Sequence, residues 1–124
     1  MPLVLIVDDN AKNRKLAADV LSAAGFETLE AATGSEGLTL ATERVPDVIL
    51  MDLRLPDMDG TEATRTLRGD ERTARIPVVA MSALSLEGSG DWLEAAGFAG
   101  SLEKPIRVGT FADEVRRFCE GGTA

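Results

Sequence analysis

Pro46-Asp47-Val48-Ile49-Leu50-Met51-Asp52-Leu53-Arg54-Leu55-Pro56-Asp57-Met58-Asp59-Gly60 is the stretch that decides the fold. A short apolar run, Val48 to Met51, follows a proline, ends abruptly on a carboxylate and gives way to a turn rich in Pro, Asp and Gly. Apolar runs of this length without polar alternation are strands buried on both faces, the pattern of a parallel sheet. Ligands bind such sheets just beyond the carboxyl ends of the strands, which places Asp52 where chemistry is found. Taken alone, a strand-end Asp equally well caps a turn. The other strand ends decide between the two.

Upstream, Leu3 to Val7 is another apolar run, closed by Asp8-Asp9-Asn10. Leu16, Ala17, Val20, Leu21 and Ala24 then recur at helical spacing until Gly25. Phe26 to Ala31 alternates as a strand, Thr33 is placed to cap a helix, and Gly37, Leu38, Ala41 and Val45 supply that helix with its buried stripe. Downstream, the pattern predicts a helix from Gly60 to Leu67, a polar turn over Arg68 to Arg75 and a strand over Ile76 to Ser82. Leu84 to Ala96 has the length of a helix, weakened in its first half by Gly88, Ser89 and Gly90. Phe98 to Glu103 reads as a last strand, and Phe111, Val115, Phe118 and Cys119 line a last helix.

Strands alternating with helices predict an α/β fold: a doubly wound, five-stranded parallel sheet of order 2-1-3-4-5 with five helices. Strands one and three are then neighbours, so Asp8, Asp9 and Asp52 converge, with Ser82 and Lys104 at the flanks of the same pocket.

Composition narrows the chemistry. The 124 residues suit one domain, 1–124. A net charge of -8 argues against nucleic acid as a partner. No apolar segment is long enough to insert in a membrane, and the N-terminal run lacks the flanks of a signal peptide, so a cytoplasmic location is expected. The single cysteine, Cys119, excludes an internal disulfide and a cysteine zinc cluster. The absence of histidine removes Ser-His-Asp and Cys-His nucleophile schemes.

Three neighbouring carboxylates repel one another unless a cation sits among them. Hard oxygen ligands without His or Cys favour magnesium. A carboxylate is also a nucleophile that can accept a phosphoryl group, chemistry that asks for positioning and charge neutralisation more than for acid or base groups. Lys104 and Ser82 would then serve phosphoryl oxygens. Each residue has a plainer role open to it: a helix N-cap for Asp8-Asp9, a turn for Ser82, a solvated surface charge for Lys104. Their joint placement is what is specific.

With Asp8-Asp9 after strand one, Asp52 after strand three, Ser82 after strand four, Lys104-Pro105 after strand five, and Pro56 and Gly60 beyond Asp52, the chain resembles the receiver domain of bacterial two-component response regulators over essentially its whole length. The opening Asp8-Asp9-Asn10-Ala11-Lys12-Asn13-Arg14 is most similar to receivers of hybrid kinases and single-domain regulators of cell-cycle type. The resemblance implies a flavodoxin-like fold and a phosphoacceptor switch that catalyses its own phosphorylation and autodephosphorylation. Asp52 would take a phosphoryl group from a phosphohistidine on a sensor histidine kinase or phosphotransfer protein, and the phosphorylated form would alter binding to a downstream protein. Mg2+ would be held by Asp9, Asp52 and the backbone carbonyl of Arg54, with Asp8 acting through water. Lys104 would bind the phosphoryl group, Ser82 would swing toward it, and the Lys104–Pro105 peptide would be cis.

Two positions depart from the family pattern. Ser101 stands three residues before Lys104, where receivers commonly carry the aromatic that couples to the switching hydroxyl, and the chain has no tyrosine. A glycine-rich segment, Leu84 to Trp92, is the expected moving part in its place. Arg54, two residues after Asp52, and Leu84, two after Ser82, sit where the approach of hydrolytic water is controlled; the sequence leaves open whether Arg54 shields the phosphoryl group or speeds its loss. The competing classes are a phosphorylation-independent receiver that only binds partners, an aspartyl-nucleophile phosphohydrolase, and a flavin-binding domain. Arg54 stands where the phosphohydrolase would have a second carboxylate, and the acidic loop after strand one disfavours a flavin phosphate.

Overall fold

The computed structural model describes residues 2–82, 90–104 and 106–119. Five strands, β1 (Leu3–Val7), β2 (Glu27–Ala31), β3 (Val48–Asp52), β4 (Val78–Ser82) and β5 (Gly100–Glu103), alternate with five helices, α1 (Ala11–Ala23), α2 (Gly34–Arg44), α3 (Gly60–Arg68), α4 (Gly90–Ala95) and α5 (Val108–Cys119). The strands form one parallel sheet of order β2-β1-β3-β4-β5, as the sequence predicts.

The apolar runs alternate between two cores. Val4, Ile6, Leu50, Val79 and Met81 face Leu21, Phe111, Val115 and Phe118 of α1 and α5. Leu5, Val7, Ile49, Met51 and Val78 face Ala41, Leu67, Leu93 and Phe98, on the side of α2, α3 and α4. Both faces are covered, which is why the strands carry no polar alternation. Val7 pairs with Met51 and Asp52 with Met81, so the carboxyl ends of the three inner strands fall level. Among the described residues no helix is long and apolar enough to cross a membrane.

Several local expectations change. Asp8-Asp9 does not cap α1; the side-chain oxygen of Asn10 does, accepting from the N–H groups of Lys12 and Asn13. Leu16 is 41% exposed although its spacing fits the buried stripe. Val45 is 53% exposed and ends α2 in the left-handed conformation, φ 44°. Phe98 and Ala99 are lead-in to β5 rather than part of it, Phe98 being drawn into the core. Leu84, Gly88, Ser89 and the cis expectation for Pro105 lie outside the described residues.

Candidate functional site

The pocket is built by two equivalent turns at the ends of β1 and β3. Asp8 Oδ1 accepts the N–H of Asn10 at 2.9 Å, and Asp52 Oδ1 accepts the N–H of Arg54 at 3.1 Å. Each is an Asx turn, in which a carboxylate satisfies backbone two residues on and becomes fixed in direction. Each second oxygen is left for the pocket, and Lys104 Nζ lies 2.9 Å from both Asp8 Oδ2 and Asp52 Oδ2.

Lys104 reaches that point because its own N–H donates to the Ser82 carbonyl at 2.7 Å, extending the β4–β5 ladder by one residue. Ser82 is buried at the end of β4. Asp8 and Asp52 are buried too, whereas Asp9 is exposed, and one carboxylate oxygen from each of the three lies within 4.8 Å of the others. Burial raises Asp52 above the ordinary carboxylate value; hydrogen bonds from Lys104 and Arg54 oppose the rise, and the charge of Asp8 adds to it. Burial pulls Lys104 down, but its hydrogen bonds to Asp52 and Asp8 prevail and its pKa is raised.

Three carboxylates against one ammonium leave two negative charges uncompensated, which matches a divalent cation in charge, and the oxygen-only donor set matches magnesium in hardness. The Arg54 carbonyl belongs to the loop that follows Asp52. That loop is closed by an antiparallel backbone β-bridge pairing Arg54 with Asp59, in which the Gly60 N–H donates to the Leu53 carbonyl. Gly60 is required there, since a Cβ would overlap the Asp52 carbonyl oxygen. The Arg54 side chain is exposed. Ser101 is half-buried on β5, paired with Ala80 and set apart from the carboxylates by its place in the strand.

Sequence reasoning passed over Arg14. Its Nη1 donates to the Asp8 carbonyl at 2.7 Å while Nε lies 3.4 Å from Glu30, so the acidic loop is tied to α1 and β2. An arginine one turn into a helix that starts beside an acidic pair is the signal that could have found it.

Residues 4–116 match the family described as the response regulator receiver domain. The chain is 39% identical over 115 residues to the polar-differentiation response regulator DivK of Brucella ovis, covering 93% of this chain and 94% of that one. Its fold is similar to that of the chemotaxis response regulator CheY4 of Vibrio cholerae, with TM-score 0.88, 30% identity, and coverage of 95% and 98%. It is also similar to the receiver domain of a Pseudomonas aeruginosa sensor histidine kinase whose structure has a magnesium ion coordinated in the active-site cleft, with TM-score 0.85, 31% identity, and coverage of 96% and 98%. Level strand ends carrying an acidic pair, a third aspartate, a buried serine and a lysine thus coincide with sequence likeness along nearly the full chain: it belongs to the response regulator receiver domains, whose general function is that of a phosphoacceptor switch.

Proposed function

We propose that this chain, as one receiver domain over residues 1–124, takes a phosphoryl group onto Asp52 from a phosphohistidine of a sensor histidine kinase or phosphotransfer protein. The observation that carries this assignment is the Lys104 ammonium shared between Asp8 and Asp52 at 2.9 Å each. It fixes the nucleophile and is already placed for the charge that arrives with the phosphoryl group.

Asp52 Oδ2 attacks phosphorus in line; the phosphorus–nitrogen bond breaks, its electron pair stays on the donor imidazole, and an acyl phosphate forms on Asp52. The released imidazole nitrogen takes up a proton from water. Asp52 Oδ1 stays on the Arg54 N–H, so the carboxylate does not rotate away. Lys104 moves its hydrogen bond from Asp52 to a phosphoryl oxygen, and the Ser82 hydroxyl closes on another as the switch. Asp9, Asp52 and the Arg54 carbonyl are the proposed Mg2+ ligands, with Asp8 acting through water. When bound, the ion neutralises phosphoryl charge.

The domain is an acceptor that catalyses its own phosphorylation and autodephosphorylation, and it turns over no separate substrate. Arg54, exposed beside Asp52, meets the water that hydrolyses the acyl phosphate. The output is a change in binding to a downstream protein in the cytoplasm, without nucleic acid. Ser101 favours a second reading, a phosphorylation-independent interaction module, because serine cannot supply the inward movement of an aromatic ring.

Intact mass after incubation with acetyl phosphate separates the two. One phosphoryl adduct that requires both magnesium and Asp52, and is lost in Asp52→Asn, is expected. An adduct that persists in Asp52→Asn refutes the assignment, and no adduct from either acetyl phosphate or a phosphorylated histidine donor selects the interaction module.

A further inference from the structure

The carboxylate of Asp57 contacts no part of the pocket's lysine. It lies five residues beyond Asp52, and Oδ1 accepts the N–H of Gly34 at 2.8 Å while Oδ2 accepts that of Ser35 at 2.9 Å. These are the first two amides of α2, and a helix leaves such donors without partners of its own. The helix already has a local cap. Thr33 Oγ1 takes the Glu36 N–H and Glu36 Oε1 takes the Ala32 N–H, at 3.1 and 3.2 Å. Asp57 therefore completes the first turn of α2 from a different loop. Both amides hold its pKa below the ordinary carboxylate value, so it remains charged and bound.

Met58 adds a second contact. It packs on Gly34 so closely that a Cβ there would stand 2.5 Å from Met58 Cγ. The loop between Asp52 and Gly60 is thus fixed at two places. Its ends are held by the Arg54 N–H on Asp52 and by the backbone β-bridge pairing Arg54 with Asp59 through the Gly60–Leu53 hydrogen bond. Its crown is held by α2. Between these anchors runs the backbone that carries the Arg54 carbonyl.

We propose that Asp57 is a positioning residue for magnesium: by clamping the loop crown to the N-terminus of α2, it fixes the backbone that presents the Arg54 carbonyl to the acidic pocket. This inference rests on the magnesium site proposed above. Outer partners that hold a ligand in place typically change metal affinity by about 10–100-fold. The Arg54 carbonyl has no side chain to steer it, so its direction is set by the loop alone.

The test is calorimetric titration of the whole chain with magnesium chloride, for wild type, Asp57→Ala, Asp57→Asn and Thr33→Ala. Thr33→Ala strips a cap from the same helix end without touching the loop, and it controls for loss of α2 stability. Asp57→Ala is expected to weaken binding by about tenfold. Asp57→Asn, which keeps an acceptor oxygen, should fall between it and wild type, and Thr33→Ala should bind as wild type does while unfolding at lower urea. An affinity in Asp57→Ala indistinguishable from wild type overturns the clamp's role. So does an equal weakening in Thr33→Ala, which would reduce Asp57 to a helix cap. A wild-type chain that takes up no magnesium overturns the magnesium site itself, and the positioning role with it.

Discussion

Replacing Lys104 with methionine keeps most of the apolar stem and deletes the ammonium. The side chains involved are 15% exposed for Lys104, 7% for Asp8 and 10% for Asp52, and both N–O separations are 2.9 Å. At that distance and an effective dielectric near 20, each attraction is worth about 6 kcal/mol before desolvation. Desolvation offsets much of this; removing one partner of a buried pair costs about 3–5 kcal/mol net. The pocket opens to water on the Asp9 side, so the lower end applies, about 3 kcal/mol at neutral pH without divalent cations. Acid should erase the loss. Asp52 is already raised, by burial first, and without the lysine it rises further. A carboxylate whose folded pKa is raised stabilises the fold while protonated, and that stability is lost as pH climbs through the folded value. Lys104 is itself raised above its ordinary 10.5, so its contribution is intact at neutral pH and disappears only in strong alkali. Urea denaturation of both chains, at neutral pH and near pH 4, in chelator and in magnesium, reads all of this. Without the ammonium competing for the carboxylates the variant should bind magnesium more tightly than wild type, and each tenfold in affinity narrows the deficit by about 1.4 kcal/mol at saturating magnesium. A deficit equal at both pH values and indifferent to magnesium would show that Lys104 acts through packing, and the charge argument would fall.

Asp52→Asn removes a carboxylate that the fold prefers protonated; the variant should therefore match or exceed wild type in urea midpoint at neutral pH, with the gap closing in acid, and the opposite slope would contradict the raised pKa. Val45→Gly relieves a β-branched residue at φ 44° on an exposed helix end, and should raise stability by about 1 kcal/mol and the thermal midpoint by about 4 °C, read by calorimetry. Arg68 donates Nε to the Gly97 carbonyl, Nη1 to Ala74 and Nη2 to Ile76, at 3.0, 2.9 and 2.7 Å. Arg68→Met leaves those three carbonyls without the donor and should cost about 3 kcal/mol in urea, and Arg68→Lys should recover little because an ammonium cannot span the fork.

Strand order and the pocket were legible because parallel strands buried on both faces write themselves as unbroken apolar runs. Leu3–Val7 and Val48–Met51 have no alternative use, so the first polar residue after each marks the sheet's carboxyl edge. Contacts between loops were not legible. Asp57 reads as one more acidic residue in a Pro/Asp/Gly turn, and only folding brings it to Gly34 and Ser35, more than twenty residues away. Arg68 likewise reads as the polar end of a helix, while its guanidinium reaches into the turn before β4 and the one after α4. Periodicity also overstates burial: Leu16, in the middle of α1, and Val45, at the C-terminal end of α2, keep the spacing of their stripes but are 41% and 53% exposed. At the α1 cap, Asp8 was already committed to the Asn10 amide, which left the capping of Lys12 and Asn13 to Asn10.

The strand order places β2 and β5 at the margins of the sheet, each with one side of its backbone unpaired by any strand among the described residues. An unpaired margin invites another chain to dock strand to strand and extend the sheet without limit. Here β2 carries Glu27 and Glu30, both exposed, so a second copy approaching that margin would set carboxylates against carboxylates. The other margin, β5, is four residues long and ends on the exposed Glu103, too short and too charged to template a lasting ladder. The acidic composition therefore has a second use away from the pocket: exposed carboxylates at both margins oppose the edge-to-edge joining of copies.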